Sequence, residues 1–97
     1  MILVRVTFQA QFGKAGEMVQ LLKQDPSPPI GIHGRVLTDL SGPFDTVVVE
    51  STVESLDDYF RQLQEMFAAP EMSESMRAVG EMIASGHREF YTIELES

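Results

Sequence analysis

Residues Ile2 to Ala10 alternate. Ile2, Val4, Val6 and Phe8 fall on one side, and Leu3, Arg5, Thr7 and Gln9 on the other. A period of two with one apolar side marks a strand resting one face on a core. Phe12-Gly13-Lys14 breaks that rhythm. From Lys14 to Gln24 the spacing is helical, with Ala15, Met18, Leu21 and Leu22 in one stripe. Asp25-Pro26 stops it, because a residue preceding proline is pushed out of the helical region. Asp25 to Ile32 is a shaped loop containing Pro26, Pro28, Pro29 and Gly31. Gly34 to Leu40, with His33 at its mouth, reads as the next strand. Its one side carries Val36, Thr38 and Leu40, and its other His33, Arg35, Leu37 and Asp39. After a turn at Ser41-Gly42-Pro43-Phe44, Asp45 to Val53 is rich in β-branched residues and completes an antiparallel hairpin. Val47, Val49 and Val53 form its more apolar side; Thr46, Val48, Glu50 and Thr52 form the mixed one.

The second helix starts at Ser55, where Ser55-x-x-Asp58 supplies a hydroxyl cap and an acid for the first turn. Leu56, Tyr59, Phe60, Leu63, Met66 and Phe67 then recur at helical spacing. Pro70 opens a further helical stretch that runs to Ser85-Gly86, with Gly86 as its C-cap. The last strand is expected from Arg88 to Glu96. Tyr91, Ile93 and Leu95 would face the core, and Arg88, Phe90, Thr92 and Glu94 the opposite side. The order is strand, helix, strand, strand, helix, strand. It predicts one domain over residues 1–97 of α+β class: a ferredoxin-like βαββαβ unit with a four-stranded antiparallel sheet and helices on one face.

Composition narrows the function. Seven Lys and Arg stand against fifteen Asp and Glu, giving a net charge of −8, and there is no Cys. Without Cys there is no disulfide framework, thiolate zinc site or cysteine nucleophile. The acidity argues against a nucleic-acid partner, which needs a basic face. No apolar run reaches the ~18 residues of a membrane span. Arg5 interrupts the apolar start, so no leader peptide is expected and the chain is expected to be cytoplasmic.

The side of the sheet away from the helices mixes aliphatic, aromatic and charged residues. Leu3, Leu37, Val48 and Phe90 would be wet there in a monomer, which points to a second sheet meeting it face to face. At this point the chain resembles the dimeric α/β-barrel superfamily, and within it the NIPSNAP-like small proteins. The resemblance rests on Gly13-Lys14-Ala15-Gly16-Glu17-Met18 after the first strand and on the Thr38-Asp39-Leu40-Ser41-Gly42-Pro43-Phe44-Asp45 hairpin. It rests also on the Glu54-Ser55-Leu56 helix start and the closing Ser85-Gly86-His87-Arg88-Glu89-Phe90-Tyr91. It implies homodimers whose sheets close into a barrel. The superfamily includes cofactor-independent monooxygenases, lactone isomerases, haem-degrading enzymes, stress-response proteins and members without known activity. The tryptophan typical of the haem degraders is absent here. Fold alone does not choose among these.

Arg5, Arg35 and Arg88 are expected on the inner face, where guanidinium forks suit a small organic anion. Leu37, Val48 and Phe90 would supply apolar walls. Against this stands the simpler reading that the arginines pair with Asp39, Glu50 and Glu94. His33 and Glu50 are the candidates for proton transfer; a strand-end position accounts for His33 equally well. The two histidines, His33 and His87, cannot be shown to converge, so no metal or other cofactor is expected. The expectation is a homodimer binding a small organic anion in the barrel interior. The alternatives are a cofactor-independent monooxygenase- or isomerase-type enzyme and a non-catalytic dimeric assembly module.

Overall fold

The computed structural model describes residues 1–24, 34–69 and 77–97. Its elements run β1 (Ile2–Ala10), α1 (Ala15–Gln24), β2 (Gly34–Thr38), β3 (Thr46–Val53), α2 (Leu56–Ala68) and β4 (Ile83–Thr92). Residues 77–82 are helical and lead directly into β4. The strands form one antiparallel sheet in the order β2-β3-β1-β4. The ferredoxin-like α+β architecture expected from the alternation is therefore present. The proline-rich loop, His33 and the Pro70 helix start lie outside the described residues.

Alternation sorts β1 and β3 as the sequence implies; β2 is shorter than expected, ending at Thr38 rather than Leu40, and all its residues are exposed, Val36 on the helix side included. Val4 and Val53 pack with Tyr59 of α2, while Ala10 and Val47 pack with Met18 of α1 and Val79. All of these are essentially buried. Each elongated β-branched or aliphatic side chain buried here contributes about 1.5–3 kcal/mol. Ser55 caps α2 as expected, its Oγ accepting from the Asp58 N–H at 3.1 Å.

The C-terminal strand differs from expectation. It begins at Ile83 rather than Arg88 and ends at Thr92. Gly86 is not a helix cap but a strand residue paired with Phe8. Atoms of Phe8 and the Thr7 carbonyl lie 3.2–3.3 Å from where a Cβ would stand on Gly86. A glycine thus lets the Phe8 ring lie across its neighbour strand. The register pairs Val4 with Phe90 and Val6 with Arg88. Cross-strand partners share a face, so Phe90 and Arg88 lie on the helix side, not the open side. There Arg88 stands 5.5 Å from the Tyr59 ring centroid, 5.5 Å from that of Phe60 and 5.7 Å from that of Phe90. Its Nη1 donates to the Tyr59 hydroxyl at 3.4 Å. The adjacent aromatics Phe90 and Tyr91 made either facing possible. Pairing with β1 decides it, and Leu95 falls beyond the strand's end, exposed.

One loop contact ties the hairpin to the first helix. Asp45 has φ +60, a conformation that Asp tolerates better than most residues. Its carboxylate accepts from the Gly13 N–H at 2.9 Å and the Ala15 N–H at 3.2 Å. It therefore serves the first amide of α1, and the Gly13 amide in the turn ahead of it, from a distant loop. Asp45→Ala should lower stability by about 1–2 kcal/mol in urea denaturation, and Asp45→Asn by clearly less. Equal stability of Asp45→Ala and the wild type would show that the contact is idle.

Candidate functional site

The open face is organised around Glu50 of β3. It is the buried charged residue of the described chain, at 3% exposure. A carboxylate leaves water only if its oxygens find donors. Arg5 of β1 donates from Nε to one oxygen at 2.8 Å. Arg35 of β2 donates from Nε to the other at 2.7 Å, and its Nη2 lies 2.7 Å from the same oxygen. Both contacts follow from register, since Arg35 and Arg5 are the residues directly opposite Glu50 on its two neighbouring strands.

Burial pushes the Glu50 carboxyl up, but hydrogen bonds from Arg5 and Arg35 and their positive charge outweigh it. The net direction is below the usual carboxylate range. Arg5 is raised in turn, first by its hydrogen bond to Glu50. Both oxygens of Glu50 already accept from guanidiniums, and a carboxyl held below its usual range is a weaker proton acceptor. As a general base it is poorly placed.

The row continues across the sheet. Arg5 is paired in register with Glu89 of β4 and lies 5.3 Å from the Tyr91 ring centroid. The Tyr91 hydroxyl donates to Glu89 at 2.6 Å; that hydrogen bond, with burial behind it, raises the hydroxyl's pKa. His87 Nε2 stands 3.5 Å from Glu89. Arg35, Glu50, Arg5 and Glu89 thus form a straight cross-strand line of alternating charge. Leu37, Val48, Thr7 and His87 make the next row on one side; Thr52, Leu3 and Tyr91 lie on the other.

Of the candidates drawn from sequence, the sheet brings Arg5, Arg35, Leu37, Val48 and Glu50 onto one face. Arg88 and Phe90 are on the opposite face, and His33 is outside the described residues. Glu89, Tyr91 and Thr52 were not singled out. The −x− spacing of Glu89 and Tyr91 beside a cross-strand Arg was the available signal, but it needs the β1–β4 register. A groove of about 250 Å³ opens beside the charged row, walled by Leu3, Arg35, Glu50, Thr52 and Glu96. Thr52 Oγ1 is buried and without a hydrogen-bond partner among the described residues. Among the described residues no group of His, Cys, Asp or Glu converges as a metal would require. Nor is any described helix long and apolar enough to cross a membrane.

No family model matches this sequence, and no curated protein matches it. Solved structures do match in fold. An uncharacterized NIPSNAP-like domain protein from Burkholderia xenovorans superposes with a TM-score of 0.88 at 19% identity, over 99% of this chain and 88% of that one. A NIPSNAP family protein from Agrobacterium tumefaciens gives 0.84 at 17% identity, over 94% and 90%. A candidate antibiotic biosynthesis monooxygenase from Deinococcus radiodurans gives 0.70 at 18% identity, over 100% and 96%. At such identities the likeness establishes the shared fold.

Because the Glu50 carboxyl is held low, its contribution to stability is fully present above the unfolded value of about 4.3. It is lost as pH falls through the lower folded value. Glu50→Gln should cost about 1–3 kcal/mol at pH 7. Its stability should also fall less steeply than the wild type's between about pH 5 and pH 2. Parallel acid limbs for the two proteins would show that Glu50 is not the residue responsible.

Proposed function

We propose that this chain works as a homodimeric α/β-barrel module in which the open sheet faces of two copies meet. The observation that carries the reading is the pairing of both open-face arginines with one buried carboxylate. Charges set out as an internally paired row suit a face that is covered by protein. Leu37 and Val48 on one side of that row, and Tyr91 and Leu3 on the other, are exposed or half-exposed, and exposed apolar surface of this kind suits an interface. At about 25 cal/mol per Å² its burial favours association. The NIPSNAP-type structural neighbours support the reading only through the shared fold.

A second reading, the binding of a small, partly apolar organic anion, is favoured by a separate observation. Thr52, whose buried hydroxyl has no hydrogen-bond partner among the described residues, lines the groove together with Arg35 and Leu3. A carboxylate there would accept from Thr52 and from guanidinium N–H groups that Glu50 does not use. Glu50 and Glu96 line the same groove, so such an anion would have to be bound by local contacts against two carboxylates. A monooxygenase- or isomerase-type activity would need a proton acceptor other than Glu50.

Light scattering at micromolar concentration should give the mass of a dimer. Val48→Asp, which sets a charge within the apolar row, should weaken association by about tenfold or more. A wild-type monomer would overturn the module reading. For the second reading, calorimetric titration with benzoate and hexanoate should detect binding that Thr52→Val reduces by about tenfold with the mass unchanged. Identical binding by Thr52→Val, or no binding by the wild type, would remove it.

A further inference from the structure

We propose that the row Arg35–Glu50–Arg5–Glu89 is a self-complementary code that fixes how two copies of this chain dock. The proposal rests on the homodimer reading and specifies its geometry. The four residues stand directly opposite one another on β2, β3, β1 and β4. Strands lie ~4.8 Å apart, so the row spans roughly 14 Å of the sheet's width. Its signs run plus, minus, plus, minus. Its middle falls between β3 and β1, the two central strands.

A two-fold axis lying between two facing sheets can run along the row or along the strands. If it runs along the row, every residue faces its own copy. Arg35 then meets Arg35 and Glu50 meets Glu50, and like charges brought together at an interface cost several kcal/mol. If it runs along the strands and through the middle of the row, the order is reversed in the partner. Arg35 then faces Glu89 of the partner subunit and Arg5 faces Glu50 of the partner subunit, so all the facing charges are opposite. Moving the axis by half a strand spacing places like charges together again. The row therefore admits one arrangement among these.

The outer members are the more available for pairing across the interface: the Arg35 side chain is 69% exposed and that of Glu89 40%, whereas Glu50, at 3%, and Arg5, at 38%, are engaged with each other within their own chain. The flanking row agrees with the same axis. Residues keep their level along the strand but exchange edges, so Val48 faces Thr7 of the partner subunit, and Leu37 faces His87 of the partner subunit. Symmetric interfaces require this kind of self-complementarity, in which residue i meets j and j meets i.

The chain has no Cys, which makes site-directed cross-linking clean. With a bis-maleimide spanning about 10 Å, the usual separation of facing sheets, Leu37→Cys alone and His87→Cys alone should not cross-link. An equimolar mixture of the two variants should. Neither substitution replaces a member of the charged row, although His87→Cys removes the 3.5 Å contact of His87 with Glu89. Self-cross-linking of Leu37→Cys, or no cross-linking in the mixture from a protein of dimer mass, would overturn the code and leave the homodimer standing. A wild-type monomer would overturn both. The charges are tested separately. Arg35→Glu and Glu89→Arg should each weaken self-association by about tenfold or more. An equimolar mixture should associate as heterodimers, resolved by native mass spectrometry, because every facing pair is then again of opposite sign. Wild-type self-association in both single variants would likewise overturn the code.

Discussion

The structure depends on one buried carboxylate and the two guanidiniums that make its burial affordable. Glu50 sits on a central strand, and its neighbours across both ladders are Arg5 and Arg35. A slip of β2 or β1 by one residue against β3 would turn every side chain of that strand over. It would also strand a carboxylate away from water without donors, a penalty of several kcal/mol. The ion pair therefore acts as a register pin. It places Val4, Val47 and Val53 toward the helices in the same step that it places Leu3, Leu37 and Val48 away from them.

That division gives the two faces different tasks. One is closed within the chain by Met18, Tyr59 and Val79 and supplies the hydrophobic stability. The other is striped, a charged row between more apolar ones. Such a face is unsuited to lasting exposure because of its aliphatic residues, and unsuited to a dry core because of its charges. The second copy proposed above, with the same stripes in reversed order, would satisfy both requirements. The Arg88 cluster with Tyr59, Phe60 and Phe90 lies on the helix side and joins β4 to α2. It belongs to the fold rather than to the open face.

Most of this was legible from residue spacing. Ile2 to Ala10 alternates cleanly, so its faces follow without a structure; Thr46 to Val53 shows a more apolar side broken by Ser51, and Ser55-x-x-Asp58 announces the helix it caps. The C-terminal strand was not legible, for an identifiable reason. Phe90 and Tyr91 are adjacent and of similar size, so alternation alone cannot say which one is inside. Gly86 has the composition of a helix end, yet it serves to admit the Phe8 ring. Only long-range pairing with β1 settles these points. The same limit hid Glu89 and Tyr91 and put Arg88 and Phe90 on the wrong face. The alternative of an internal ion pair for Arg5 and Arg35, by contrast, was visible in the sequence as an acid at Glu50 on the same side of the neighbouring strand.

An open face designed around paired charges and one designed around free arginines make opposite demands on Glu50. The most direct measurement is the titration of its carboxyl carbon by NMR in the wild-type protein. Pairing with Arg5 and Arg35 predicts a midpoint below the ordinary glutamate value of about 4.3, moving upward in Arg35→Ala. A midpoint at or above the ordinary value, unmoved by Arg35→Ala, would mean that the arginines do not hold Glu50, and the paired row on which the account is built would not exist.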